Sequence, residues 1–239
     1  MKAIVLTYDK NAILTEHMIS CYSKLWPDHP FTFLIPYQNP ERCIPNTKRQ
    51  YILTPPDLKF TVLTLLQDLD DEEWDYWCID DKYPIHFEVN RITCIYESIT
   101  NQDVRGISGI LYCRARRMLN PNYLTGNSIF IGKERLLERK AYQQIWIHQF
   151  VQVKVLRYMF ERFPDKIIQA CVMDNLKDRL IKPSTHALFV TETNCAVFGE
   201  STSSGVITAN CQKSLSEKGF KTPEWQTTLP ATAVIIGTI

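Results

Sequence analysis

Two adjacent aspartates, Asp80 and Asp81, close the apolar run Trp74 to Ile79 (WDYWCI). Ionised carboxylates a few ångströms apart repel each other unless a cation, a donor or a shared proton lies between them. Held at a strand end, such a pair can bind Mg²⁺ or Mn²⁺ through its oxygens, and the cation can neutralise a departing diphosphate. The plainer alternative is that one aspartate caps a helix beginning near Tyr83-Pro84 while the other is solvated.

Other residues invite weaker readings. Arg114, Arg116 and Arg117 would meet a phosphate only if they converge, and a solvated loop face is the simpler expectation. The acidic run Asp68, Asp70, Asp71, Glu72, Glu73 and Asp75 reads as a solvated connection, since like charges at that density favour exposure. His148 and His186 have no partner residues at metal-ligand spacing and read as ordinary satisfied histidines. The small, polar loop Gly199 to Gly205 (GESTSSG) is a second functional candidate, with a flexible loop as its alternative. No G-x-S-x-G, H-E-x-x-H or Cys-His pairing supports a hydrolase.

The elements that must position these residues follow from periodicity. Ala3 to Thr7 is a continuous apolar run of the kind buried on both faces of a parallel sheet. Ile13 to Leu25 repeats apolar residues at helical spacing and stops near Pro27. Phe31 to Ile35 and Tyr51 to Leu53 read as strands, Leu58 to Leu69 as a helix capped by Thr54 or Asp57, and Trp74 to Ile79 as the fourth strand. Beyond it the pattern predicts a helix over 87–98, strands over 106–113 and 128–131, and one long helix from Leu136 to Phe163. Strands over 187–190 and 196–198, a helix over 208–219 and a surface tail complete the chain. The alternation implies a mixed, mostly parallel α/β sheet flanked by helices, with ligands at the carboxyl ends of its strands, where Asp80 and Asp81 would sit.

Composition narrows the partners. With 239 residues and nothing that reads as a linker, one domain over 1–239 is the simplest account. Lys and Arg number 27 against 26 Asp and Glu, so no basic footprint for nucleic acid exists. No window approaches the ~20 apolar residues of a bilayer span, which leaves only peripheral membrane contact. The start MKAIVLTYDKN lacks the pattern of an export signal, and eight singly scattered cysteines suit a reducing compartment, so a cytoplasmic protein is expected.

The stretch WDYWCIDDKYPI resembles the strand-plus-acidic-pair signature of GT-A glycosyltransferases, over roughly residues 1–90. The tail FGESTSSG with TANCQKSL and KGFKTP resembles bacterial capsule-type members of that group. The resemblance implies a single Rossmann-like, nucleotide-diphospho-sugar transferase domain, with 1–85 as nucleotide-binding half and 86–239 as acceptor-binding half. It places the nucleoside at Thr7, Tyr8 and Asp9, a phosphate-facing cation at Lys59, and a divalent cation at Asp80 and Asp81, with Asp80 also meeting the donor. It also raises a late-chain metal ligand, for which His186 is the candidate. Ile79 stands two before Asp81, so D-x-D is not met and only the adjacent pair remains. An inverting enzyme needs a general base. Glu192, Asp174 and Glu200 are open, with Glu200 preferred because the glycine and serines beside it let a sugar approach.

The expected function is transfer of a sugar from a nucleoside-diphosphate sugar to a glycan, lipid or protein acceptor. A non-catalytic sugar- or protein-binding relative is the first alternative, favoured if the aspartates pair with Lys or Arg. A nucleotidyltransferase is the second, opposed by the lack of glycine in Tyr8-Asp9-Lys10-Asn11-Ala12.

Overall fold

The computed structural model describes residues 1–43, 46–101, 103–114, 121–165, 170–200, 202–203, 206–217, 219, 228–229 and 235–236. Its first half follows the periodicity closely. Strand β1 (Lys2–Leu6) leads to helix α1 (Ala12–Leu25), then β2 (Thr32–Tyr37), β3 (Arg49–Leu53), α2 (Leu58–Leu65) and β4 (Trp74–Ile79). Asp57 caps α2, its Oδ1 accepting from the amides of Lys59 (3.0 Å) and Phe60 (3.2 Å). Pro36 lies inside β2, beyond the part of the strand that pairs with β1, where its missing N–H costs no ladder bond.

After Asp80-Asp81 the chain forms a strand, β5 (Lys82–Phe87), and not the helix considered at Tyr83-Pro84. The first helix after the pair is α3 (Val89–Thr100). Strands β6 (Gly109–Leu111), β7 (Leu124–Ile131), β8 (Glu134–Arg139) and β9 (Gln149–Gln152) follow, then α4 (Val153–Arg162), α5 (Ala170–Lys177), β10 (Leu188–Thr191) and β11 (Ala196–Glu200). The helix expected over 136–163 is thus two strands and a ten-residue helix. Gln144 has φ 60°, a left-handed backbone that stops any helix through it. All four residues of β9 are buried, and such a strand cannot be told from a buried helical segment by pattern alone.

Among the described residues nine strands form the main sheet, in the order β3-β2-β1-β4-β9-β6-β10-β8-β7. Only β9 and β8 run against the others, so seven strands share one direction. One apolar layer, with Met18, Tyr22 and Ile95, packs α1 and α3 on one face. The other, with Val62, Leu65, Leu156 and Phe160, packs α2 and α4 on the opposite face. Strand β5 leaves the main sheet to pair antiparallel with β11. Among the described residues no helix is long and apolar enough to cross a membrane, and Cys21, Cys43, Cys78, Cys94, Cys113 and Cys195 form no disulfide.

Asp68, Asp70, Asp71 and Glu72 of the acidic run are exposed, as expected, and three of its carboxylates also form ion pairs. Asp71 meets Arg157 (2.7 Å), Glu72 meets Lys154 (2.8 Å) and Glu73 meets Lys2 (3.1 Å). Asp75 departs furthest from expectation, because it lies within β4 on the buried face it shares with Trp77. Both its carboxylate oxygens lack a partner among the described residues, and burial, reinforced by Glu73, pushes its pKa up to about 8 from an ordinary 3.8. A carboxyl raised in the folded state favours folding when protonated, so its contribution is lost as the pH rises from about 4 to about 8. Asp75→Asn is therefore expected to exceed the wild type in stability by about 2 kcal/mol or more at pH 8, with the gap closing toward pH 4. Denaturant titrations of both proteins across that range check it. A gap that does not change with pH would contradict it.

Candidate active site

Strand order sets the place. From β1 the chain goes to β2 and β3 on one side, whereas β4 lies on the other, so the sheet's winding reverses between β1 and β4. In open α/β sheets the crevice beyond the carboxyl ends of two such strands receives the ligand. Thr7 follows β1 and Asp80 follows β4. They touch across this crevice: Asp80 Oδ2 accepts from Thr7 Oγ1 (2.7 Å) and from Asn11 Nδ2 (2.8 Å). Thr7 Oγ1 is in turn 2.6 Å from Thr15 Oγ1 on α1.

Asp80 is 5% exposed. Burial, followed by the charge of Asp81, pushes its pKa up to about 7, and the Thr7 and Asn11 hydrogen bonds hold it from rising further. Its other oxygen, Oδ1, makes no hydrogen bond among the described residues and is not one of the sealed-off polar atoms. A carboxylate with one oxygen fixed and one open is ready for a ligand or cation. Asp81 beside it is 32% exposed, and its Oδ1 lies 3.0 Å from Lys82 Nζ.

No protein-family model matches the sequence, and no curated protein matches it. Solved structures do. A UDP-glucose pyrophosphorylase complexed with UDP-glucose is similar with a TM-score of 0.53 and 8% identity, covering 91% of this chain and 98% of that one. The fold, a mixed and mostly parallel sheet flanked by helices, is similar to that of this nucleotide-sugar enzyme. S. aureus TarS (TM-score 0.48, 11% identity, 82% of this chain and 59% of that one) is a further, weaker likeness. So is the galactosyltransferase LgtC in complex with donor and acceptor sugar analogs (TM-score 0.43, 10% identity, 77% of this chain). The chain covers only 66% and 67% of two LgtC chains. At these identities the likeness speaks for the fold alone.

Within this fold the other expected residues take varied places. Tyr8 is half-buried and follows Thr7 at the crevice. Burial, with Asp80 and Asp57 adding, pushes its hydroxyl pKa up to about 12, so it remains a donor. Asp9 accepts from the amides of Gln38 (3.0 Å) and Asn39 (2.7 Å), which ties the loop after β1 to the end of β2. Lys59 Nζ bonds Asp165 Oδ1 at 2.6 Å, so this ammonium spans two segments of the protein's own chain. Glu200 ends β11, and its backbone pairs with that of Lys82, next to Asp81. Of the other base candidates, Glu192 pairs with Arg135 (2.8 Å) and Asp174 with Lys177 (2.9 Å). The amide of Arg114 donates to Asn194 Oδ1 (2.9 Å). Arg116, Arg117 and residues 201, 204 and 205 of the GESTSSG loop lie outside the described residues.

Both histidines are buried and hydrogen-bonded within the protein, as ordinary satisfied histidines are. His186 Nδ1 is bonded to the Tyr142 hydroxyl (2.8 Å), and burial pushes its pKa down to about 4. His148 lies behind Asp80 with both ring nitrogens engaged. Among the described residues no three His, Cys, Asp or Glu side chains are grouped to hold a metal. What the edge offers is Asp80 Oδ1 and the half-exposed Asp81. That suits a hard cation arriving with phosphates, since Mg²⁺ is commonly held by one or two carboxylates with substrate oxygens and water completing its shell.

A cavity of about 600 Å³ opens at the opposite edge of the sheet, lined by Trp74, Tyr96, Ile99, Arg105, Gln152 and others. Trp74 and Asp80 are six residues apart along an extended strand, so about 20 Å separates the two places. Its Glu72 and Lys154 already satisfy one another at 2.8 Å. The switch-point edge is the better candidate because its carboxylate has an open oxygen.

Asn11 and Thr15 escaped the sequence reading, although Thr15 and Tyr22 stand seven residues apart on the inner face of α1 and Asn11 directly precedes that helix. Thr7→Val removes one of the two donors to Asp80 Oδ2 without changing side-chain shape. It is expected to cost about 1–3 kcal/mol, the usual effect of leaving a buried acceptor short of a partner. Denaturant unfolding at pH 8 checks this, and an unchanged midpoint would contradict it.

Proposed function

We propose that the protein is a glycosyltransferase that binds a nucleoside-diphosphate sugar at the β1/β4 edge and transfers its sugar to a glycan, lipid or protein acceptor. The observation that carries the reading is Asp80: a buried carboxylate at the topological switch point, held by Thr7 and Asn11 through one oxygen and open at the other. Asp80 and Asp81 would receive Mg²⁺ or Mn²⁺ together with the diphosphate, and the cation would stabilise the departing diphosphate. Tyr8 would offer its hydroxyl to the donor. Glu200 is the proposed general base, because its strand delivers it beside Lys82 while Glu192 and Asp174 are engaged elsewhere. The reading takes 1–239 as one GT-A-like domain, with 1–85 meeting the nucleotide and 86–239 the acceptor, in a cytoplasmic enzyme of bacterial surface-polysaccharide type.

One observation favours a second reading, a non-catalytic relative that binds a sugar or a protein. Asp81 lies against Lys82, and that ion pair supplies a cation without any metal. Asp80 has no such ion pair among the described residues, which weighs toward the enzyme.

UDP-glucose with and without Mn²⁺ tests the first reading by thermal shift. At a hundredfold excess over Kd a ligand specific to the folded state adds about 2.7 kcal/mol, which is about 5–10 °C in melting temperature for a chain of this size. The shift is expected to need Mn²⁺ and to vanish in Asp80→Asn. No shift with UDP-, GDP-, CDP- or dTDP-sugars would move the balance to the non-catalytic reading. With the donor known, Glu200→Gln is expected to lower kcat by about 10²-fold with little change in donor KM, the loss typical of a missing general base. An unaltered kcat would remove Glu200 from the mechanism.

A further inference from the structure

The C-terminal end of β4 has an irregularity on the side away from β1. Strand β9 pairs with β4 only from Trp74↔Gln152 to Trp77↔Gln149, so Ile79 has no strand partner on that side. A side chain takes the strand's place: His148 Nε2 lies 2.9 Å from both the amide nitrogen and the carbonyl oxygen of Ile79. On the other side, the very next amide, that of Asp80, donates to Leu6 O of β1 (3.2 Å). The peptide that carries Asp80 is therefore held from both sides, by β1 and by an imidazole.

The imidazole is itself held. Its Nδ1 shares a hydrogen bond with the Tyr22 hydroxyl, which bonds that of Tyr76 (2.7 Å), which in turn bonds that of Tyr112. All four side chains are fully buried. In either neutral tautomer both ring nitrogens have a use: one exchanges a hydrogen bond with Ile79, the other with Tyr22. The ring also packs on Phe198 of β11 (centroids 4.8 Å apart), two residues before Glu200. Tyr22 belongs to α1, the helix whose Thr15 backs Thr7 and whose approach carries Asn11. Helix α1 thus backs Asp80 twice, through Thr15 behind the Thr7 that holds its carboxylate and, by way of Tyr22 and His148, through its backbone.

We propose that His148 is a positioning residue for the donor site: it substitutes for the missing strand partner of Ile79 and so fixes the direction in which Asp80 presents its open oxygen. This rests on the reading that Asp80 meets the donor diphosphate and its cation. A placement error of about 1 Å at a binding carboxylate is enough to cost a large factor in rate or affinity. Because the contact is a hydrogen bond to a peptide, glutamine, which can also donate and accept, replaces it in part. Leucine does not.

The test compares His148→Gln and His148→Leu with the wild type by two measurements: amide hydrogen exchange at Ile79 and Asp80 without ligand, and the Kd for UDP-glucose in the presence of Mn²⁺. In the leucine variant the Ile79 amide is expected to exchange at least about tenfold faster and the Kd to rise at least about tenfold, the size set by an unsatisfied buried peptide group. The glutamine variant is expected to stay within about threefold on both measures, less than 1 kcal/mol. Rescue by glutamine separates positioning from mere filling of the core, where leucine is the better substitute. Unchanged exchange in the leucine variant, or faster exchange with an unchanged Kd, would overturn the proposal. If the leucine variant does not fold, Tyr22→Phe, which removes only the hydroxyl behind the ring, is held to the leucine thresholds. If the wild type binds neither UDP-glucose nor another nucleotide sugar, the transferase reading fails. Exchange at Ile79 then decides whether His148 holds this peptide.

Discussion

A carboxylate has to be kept usable at the rim of an apolar sheet, and much of the first half of the chain serves that requirement. Burying Asp80 favours its neutral form, and the neighbouring Asp81 adds to the effect. Two directed donors, Thr7 and Asn11, offset part of that cost through a single oxygen. The arrangement leaves the second oxygen without a protein partner among the described residues. In the proposed role a cation or donor arriving there would complete what the protein leaves undone, whereas the oxygens of Asp9 accept from the Gln38 and Asn39 amides.

Helix α1 and the strand order make this possible. Thr7 and Asp80 meet because β1 and β4 are neighbours across the reversal of winding, and α1 begins directly beyond β1. Strand β5 then turns away from the main sheet to pair with β11, so Lys82 and Glu200 come to the same edge from distant parts of the sequence. The tyrosine and histidine network beneath joins α1, β4 and the segment before β9 without a charged member. Burial pushes the His148 pKa down to about 3 and the three hydroxyls well above their usual value.

The order of elements up to Asp81 is legible in the sequence because each strand there is a short apolar run bounded by polar or proline signals, and each helix keeps its phase. Trp74 to Ile79 is read to the residue. The region 136–163 is not legible, since Phe150 and Val151 in a strand buried on both faces look like one side of a helix that truly begins only at Val153. The position of Asp80 and Asp81 at a sheet edge could be read, but their partners could not. Asn11 and Thr15 near a helix start look like ordinary capping residues, and nothing in the chain announces that Lys59 will meet Asp165 or that His148 will stand in for a strand. Those are long-range contacts fixed by topology. Asp75 shows the reverse error: in sequence it belongs to an acidic connection, yet β4 has already begun at Trp74 and carries it inside.

The central claim, that the β1/β4 edge receives a cation together with a nucleoside diphosphate, is tested most directly by paramagnetic broadening of backbone amide signals with substoichiometric Mn²⁺, with and without UDP. Mn²⁺ broadens amides within a limited radius, so the centre of the affected set locates the ion. Broadening is expected to centre on the amides of Thr7, Tyr8 and Ile79 to Lys82, appearing or sharpening to saturation only when UDP is present. Broadening centred on Asp70 to Glu73, or on the cavity beside Trp74 and Tyr96, or identical without UDP, would contradict it.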